Sequence, residues 1–158
     1  MKERNISIHP AKLKDTESIE KIIRELEWFN HITEKSTQDT ISKIEVYLRS
    51  CQEAPSNSVF VAEKEGKVIG YISVHWLFYV ILPGPEGYIS ELFVSKKERG
   101  QGIGSLLIKE VKKQAEIRGC SRLALANNRN RLSYEKEFYK KKGFIERQHV
   151  ANFIMPLS

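Results

Sequence analysis

A chain of 158 residues with 41% apolar and 29% charged side chains is long enough to bury one core and too apolar to remain disordered or fibrous. Its net charge of +6 is uneven, with 15 Lys+Arg against 6 Asp+Glu over positions 96–147 and 11 against 14 elsewhere, so one half attracts anions. Those charges are interleaved with core residues and lack alternating aromatics, which reads as solvated helix faces and no nucleic-acid groove.

The first residues, Met1-Lys2-Glu3-Arg4, lead into no apolar leader segment, and the apolar run Val68–Leu82 is broken by Gly70, Ser73 and His75. It falls short of the ~20 residues of a membrane span. A cytoplasmic chain with no membrane partner is expected. Cys51 and Cys120 stand far apart, with no histidine at ligand spacing, so neither a disulfide framework nor a metal site is expected.

Along the chain, Asn5 to His9 alternates at period two and ends at Pro10, a first strand. Asp15 or Thr16 opens a helix whose stripe Ile19, Ile22, Ile23 and Leu26 has helical spacing, and Trp28 and Phe29 close it. A second helix runs from Thr37 to Leu48, with Ser36 or Thr37 as cap. Ser58–Ala62 and Val68–Val74 flank a tight turn at Gly66 and form a hairpin. "PGPEG" turns the chain into a strand over Tyr88–Val94, a helix follows from Gly104 to Arg118, and Arg122–Ala126 is a short strand. A last helix over Leu132–Lys142 and two short strands, Phe144–Ile145 and Val150–Met155, complete the chain. The fold class is therefore mixed α/β (α+β), one domain over residues 1–158. Its central sheet should hold about six or seven strands, flanked by about four helices.

The stretch "RGQGIGS" sets Gly100, Gly102 and Gly104 against the start of the best helix. A helix start exposes unpaired N–H groups and partial positive charge, and glycine lets an anion approach them closely. Consecutive amides from Gly100 to Ser105 suit a diphosphate, with Arg99 adding charge and Ser105 a hydroxyl. The spacing is not that of a dinucleotide fold, and Gly104-Ser105 lacks the lysine of a P-loop.

"YISELFVSKKERGQGIGSLLIKEVKKQAEIRGC", followed by "NRLSYEKEFYKKKGF", resembles the GNAT superfamily of acyl-CoA-dependent N-acyltransferases, whose signature is Arg/Gln-x-x-Gly-x-Gly/Ala. Arg99, Gly102 and Gly104 match the signature, and Phe138, Tyr139, Gly143 and Phe144 match a second recurrent element. The resemblance is close over Tyr88–Phe144 and loose over the remainder. It implies that acetyl-CoA is the co-substrate, and that no metal is needed. The backbone of Leu92, Phe93 and Val94 would pair with the pantetheine arm, as an added strand does. The amides of Gly100, Gln101, Gly102, Ile103, Gly104 and Ser105 lie where the family holds the pyrophosphate, with the Arg99 charge at its edge. Asn130, or its neighbour Asn128, falls where a side chain often bonds the cofactor, and Tyr139 matches the tyrosine beside the thioester sulfur that protonates the leaving thiolate.

Acyl transfer to an amine needs a base, because an alkyl ammonium near pKa 10.4 must first lose a proton. Glu91, immediately before Leu92, is the first choice; Glu86 and His75 are alternatives. Relatives often place an acid one position earlier, where Ser90 stands, and strand parity sends Ser90 and Glu91 to opposite faces unless a bulge resets it. A backbone N–H of Phe93 or Val94 would stabilise the oxyanion. Trp28, Phe29, Trp76, Phe78 and Tyr79 with nearby carboxylates suit a cationic amine, a small molecule or a peptide, and leave room for a homodimer. The rival reading is a non-catalytic acyl-CoA-binding regulatory domain.

Overall fold

The computed structural model describes residues 5–157, whose contacts gather into two compact units divided between Leu125 and Ala126. In the first unit, five strands form one sheet in the order β1 (Ile6–Pro10), β2 (Asn57–Lys64), β3 (Lys67–Leu77), β4 (Glu86–Val94) and β5 (Arg122–Leu125). The pairs from β1 to β4 are antiparallel, and β5 runs parallel to β4. A parallel neighbour needs a long crossover. Helix α4 (Ile103–Ile117) supplies it, while α1 (Thr16–Arg24), the single turn α2 (Asn30–Thr33) and α3 (Thr37–Glu53) link β1 to β2.

The two-residue period of β3 divides the core. Tyr71, Ser73 and His75 share one face with α1 and α3, where Ile19, Ile22 and Leu48 pack on Val59, Val61 and Tyr71. Gly70, Ile72, Val74 and Trp76 share the other with α4. There Ile103 Cγ2 lies 3.3 Å from where a Cβ on Gly70 would stand, and the Arg118 guanidinium lies 4.7 Å over the Trp76 ring. Ile103, Leu107 and Val111 are fully buried. Each such side chain contributes roughly 1.5–3 kcal/mol.

Local signals explain most boundaries. Glu65 and Gly66 both take positive φ, the two-residue turn that suits a right-twisted hairpin. The Ser36 hydroxyl accepts the Asp39 N–H at 3.1 Å and caps α3. That helix continues past the expected Leu48 to Glu53, and stops where Pro55 forces Ala54 into extended backbone. Helix α1 ends at Arg24, short of Trp28, and Glu27 then adopts φ +56°.

In the second unit, the expected helix over Leu132–Lys142 is broken into α5 (Leu132–Glu135) and a 3₁₀ turn at Lys140–Lys142. Glu137 sits at φ +53°, and the Phe138 N–H closes on Ser133 O, which ends the first piece. The strands expected at Phe144–Ile145 and Val150–Met155 do not form, so the sheet has five strands among the described residues, not six or seven. A strand needs a neighbouring ladder, and no strand occurs elsewhere in residues 126–157. Phe153, Ile154 and Met155 are each more than four-fifths exposed.

Candidate active site

The helix start that the glycines precede is open. Gly102 is the N-cap of α4 with φ +84°, a left-handed conformation that L side chains seldom adopt, and it carries no side chain to cap the helix. Its carbonyl accepts the first helical bond, from Leu106 N–H at 3.1 Å. The N–H groups of Ile103, Gly104 and Ser105 precede that bond and have no carbonyl four residues back within the helix. A Cβ on Gly100 or Gly102 would meet no atom within 4 Å, so the loop faces space that a ligand can enter. Glu98 fixes the loop from behind, accepting from Lys64 Nζ at 3.1 Å and from Gln101 Nε2 at 3.2 Å. That leaves Gln101 its main-chain N–H to offer. Arg99 donates through Nε to Val94 O at 3.0 Å and is exposed.

Strand β4 leads into this loop with an unpaired edge. Its parallel pairing with β5 ends at Ile89↔Leu125, so from Ser90 to Val94 no strand lies on that side within the first unit. The Ser95 N–H bonds Ile69 O on the β3 side, and period-two alternation directs the Phe93 N–H the same way. Leu92 and Val94 therefore turn their N–H groups to the open edge. An open strand edge, left-handed glycines and an uncapped helix start fit the arm and diphosphate of a coenzyme A thioester.

A bulge sits beside that edge. The β3–β4 register passes from Ser73↔Glu91 to Val74↔Ile89, so Ser90 is the extra residue. It undoes the parity argument: Ser90 and Glu91 both reach the α1/α3 face. Glu91 Oε2 accepts from Tyr71 Oη at 3.0 Å, and Ser90 Oγ lies 3.0 Å from His75 Nε2. Asn57 Oδ1 is 2.7 Å from His75 Nδ1, and Tyr47 Oη is 2.8 Å from Ser73 Oγ. Burial, then the Glu91 charge, holds the Tyr71 hydroxyl well above its ordinary value, and burial likewise raises Tyr47. Both phenols stay neutral and can donate. Ser90, His75 and Asn57 form a chain whose members lie on three strands, and no local sequence signal connects them.

Several expected residues stand elsewhere. Glu86 is buried at the opposite end of β4 in an ion pair with Arg122, which removes it as a base. Trp76 is on the α4 face and donates to Ser58 Oγ at 3.0 Å, so it cannot line an acceptor pocket with His75. It borders a separate cavity of about 260 Å³ with Pro55, Phe78 and Arg118, at the far end of α4 from the glycines. Trp28 packs edge-on against Phe93, 5.9 Å between centroids, on the face of Glu91.

The remaining two site residues belong to residues 126–157. The Asn130 N–H bonds Asn128 Oδ1 at 2.9 Å, which commits the Asn128 side chain to its own turn and leaves Asn130 exposed. Tyr139 packs edge-on against Phe138 and Phe144, at 5.0 and 5.8 Å. Burial pushes its hydroxyl up to about 12, so it remains a protonated donor at neutral pH. Among the described residues no group of three His, Cys, Asp or Glu side chains could hold a metal, and no helix is long and apolar enough to cross a membrane.

Residues 21–144 match the model of the Acetyltransferase (GNAT) family. The chain belongs to this family. It is thus an acetyltransferase enzyme, and members of the family generally use acetyl-CoA as co-substrate. This GNAT chain is 33% identical over 129 residues to a thialysine N-epsilon-acetyltransferase of Bos taurus, covering 77% of this chain and 74% of the relative. It is 33% identical over 84 residues to an aminoalkylphosphonate N-acetyltransferase of Salmonella typhimurium, covering 53% and 54%. Among solved structures, a transcriptional regulator from Bacillus halodurans superposes with a TM-score of 0.81 at 20% identity, covering 97% of this chain and 100% of the other. An aminoglycoside acetyltransferase from a soil metagenome reaches 0.75 at 22% identity, covering 97% of each. These two likenesses show the fold.

Proposed function

We propose that the protein transfers the acetyl group of acetyl-CoA to a primary amine by direct attack within a ternary complex. The observation that carries this reading is the left-handed Gly100 and Gly102 ahead of α4, next to the unpaired edge Ser90–Val94. The bound thioester supplies an activated acetyl carbon. Main-chain N–H groups from Gly100 to Ser105 hold the diphosphate, the edge of Leu92 to Val94 aligns the arm, and the Val94 N–H supports the carbonyl oxygen. Glu91, exposed on β4, draws the ammonium and takes its first proton. Tyr139 donates to the departing thiolate, and Asn130 bonds the coenzyme.

The acceptor is a primary amine on a short alkyl chain. Two relatives named for acetylating thialysine at Nε and aminoalkylphosphonates support that class. An acetylation assay over diamines, lysine analogues, aminoalkylphosphonates, aminoglycosides and peptides tests it, with wild type, Tyr139→Phe and Glu91→Gln. Tyr139→Phe should lower kcat by ~10² with little change in KM for acetyl-CoA. An unchanged kcat would remove Tyr139 from the mechanism.

A further inference from the structure

Turning an ammonium into an amide removes two protons from one nitrogen: RNH₃⁺ + CH₃CO–SCoA → RNHCOCH₃ + CoASH + H⁺. One proton leaves before the N–C bond forms, to expose the lone pair, and the second leaves once the bond has formed. As the C–S bond breaks, its electron pair stays on sulfur and one proton ends there; the other reaches solvent. Glu91 accounts for the first departure, and Tyr139 places the proton on sulfur and is itself recharged from solvent as the site resets. The second departure needs its own acceptor.

We propose that Ser90, His75 and Asn57 form that acceptor: Ser90 Oγ takes the proton from nitrogen while passing its own to His75 Nε2. The proposal rests on the acetyl-transfer reading above. Ser90 is exposed and is the extra residue of the β4 bulge, at the start of the open edge. Its hydroxyl has two acceptors in reach, His75 Nε2 at 3.0 Å and Ser73 O at 3.5 Å, and the shorter contact directs the proton to the ring. Asn57 faces His75 across the β2–β3 ladder, and its Oδ1, 2.7 Å from Nδ1, can only accept. The ring therefore carries its proton on Nδ1 and turns the Nε2 lone pair to Ser90. Nucleophile-side hydroxyl, imidazole and orienting amide stand in the order that proton removal requires.

The titratable groups around His75 are Tyr47 on α3, its ring 6.4 Å away, Cys51 one turn further along α3, Tyr71 and Glu91 along the same face, and Tyr88 opposite it on β4. Burial raises Tyr47, Tyr71 and Cys51, which stay neutral, and Glu91 is the carboxylate of this face.

The test is the pH dependence of kcat/KM for the best amine of the panel, with wild type, Ser90→Ala, His75→Gln and Asn57→Asp. Acetyl-CoA affinity is measured by calorimetry, and the histidine rings are observed by ¹H–¹⁵N NMR in the free protein. Ser90→Ala and His75→Gln should each lower kcat by ~10² and abolish the limb in the imidazole range, with acetyl-CoA Kd unchanged. Asn57→Asp should stay active and move that limb to higher pH, because a carboxylate favours the imidazolium. The ring of His75 should appear as the Nδ1–H tautomer. A Ser90→Ala enzyme with wild-type kcat and pH profile would overturn the proposal, and this small exposed change avoids any folding defect of His75→Gln. An Nε2–H tautomer would overturn it too. A wild-type protein that binds acetyl-CoA yet acetylates no amine would instead sink the acetyl-transfer reading, and this assignment with it.

Discussion

Burial raises the Tyr139 hydroxyl, packed against Phe138 and Phe144, from 10 to about 12, and this couples the proposed acid to stability. A raised value in the folded state means that the stabilisation is present below pH 10 and is lost as pH climbs through 12, because the unfolded chain releases this proton first. Tyr139→Phe should therefore flatten the fall in stability between pH 10 and 12, by on the order of 1–2 kcal/mol after discounting for the partial exposure of the ring. Chemical denaturation at pH 8 and pH 11 checks it; an equal fall in both proteins would contradict the assignment. At this scale the sequence shows which side chains carry chemistry but not which are free to use it. Glu86 and Glu91 are the same residue type on one strand, yet Arg122, 36 positions further on, ties up the first. The bulge that brings Ser90 and Glu91 to one face arises from register against β3, a non-local property.

Helix α4 was the most legible element, because an apolar stripe, a glycine-rich start and a glycine stop are all local signals. Gly102 links its geometry to binding. Valine at φ +84° is strained by roughly 1–3 kcal/mol, and its side chain would fill the space in front of the helix start. Gly102→Val should cost that much stability and abolish measurable acetyl-CoA binding in calorimetry. Normal affinity would show that the diphosphate lies elsewhere. The expected helix over Leu132–Lys142 failed for the converse reason. Its composition is helical throughout, and the left-handed Glu137 in its middle has no glycine or proline to announce it.

For the whole molecule, the buried face of α4 and the tail after Gly143 behave oppositely. Leu107 is fully buried and Phe153 is 90% exposed. Leu107→Ala should destabilise by roughly 2–5 kcal/mol and Phe153→Ala by less than about 0.5 kcal/mol, as read from urea midpoints. A large loss at Phe153 would mean that the tail is covered. The largely apolar segment Val150–Met155 reads as a strand because composition marks only what a segment could pair with, whereas a ladder also requires a partner, and that is set by topology.

The Glu86–Arg122 ion pair gives the β4–β5 junction one further property. It clasps the parallel pair at its first rung, about 13 Å along the strand from Ser90 at ~3.3 Å per residue, and the rungs end soon after. The slot beside β4 is thus hinged from one end by the protein's own charges. The closed end of the slot is therefore held by two side chains that lie at the opposite end of β4 from the open edge.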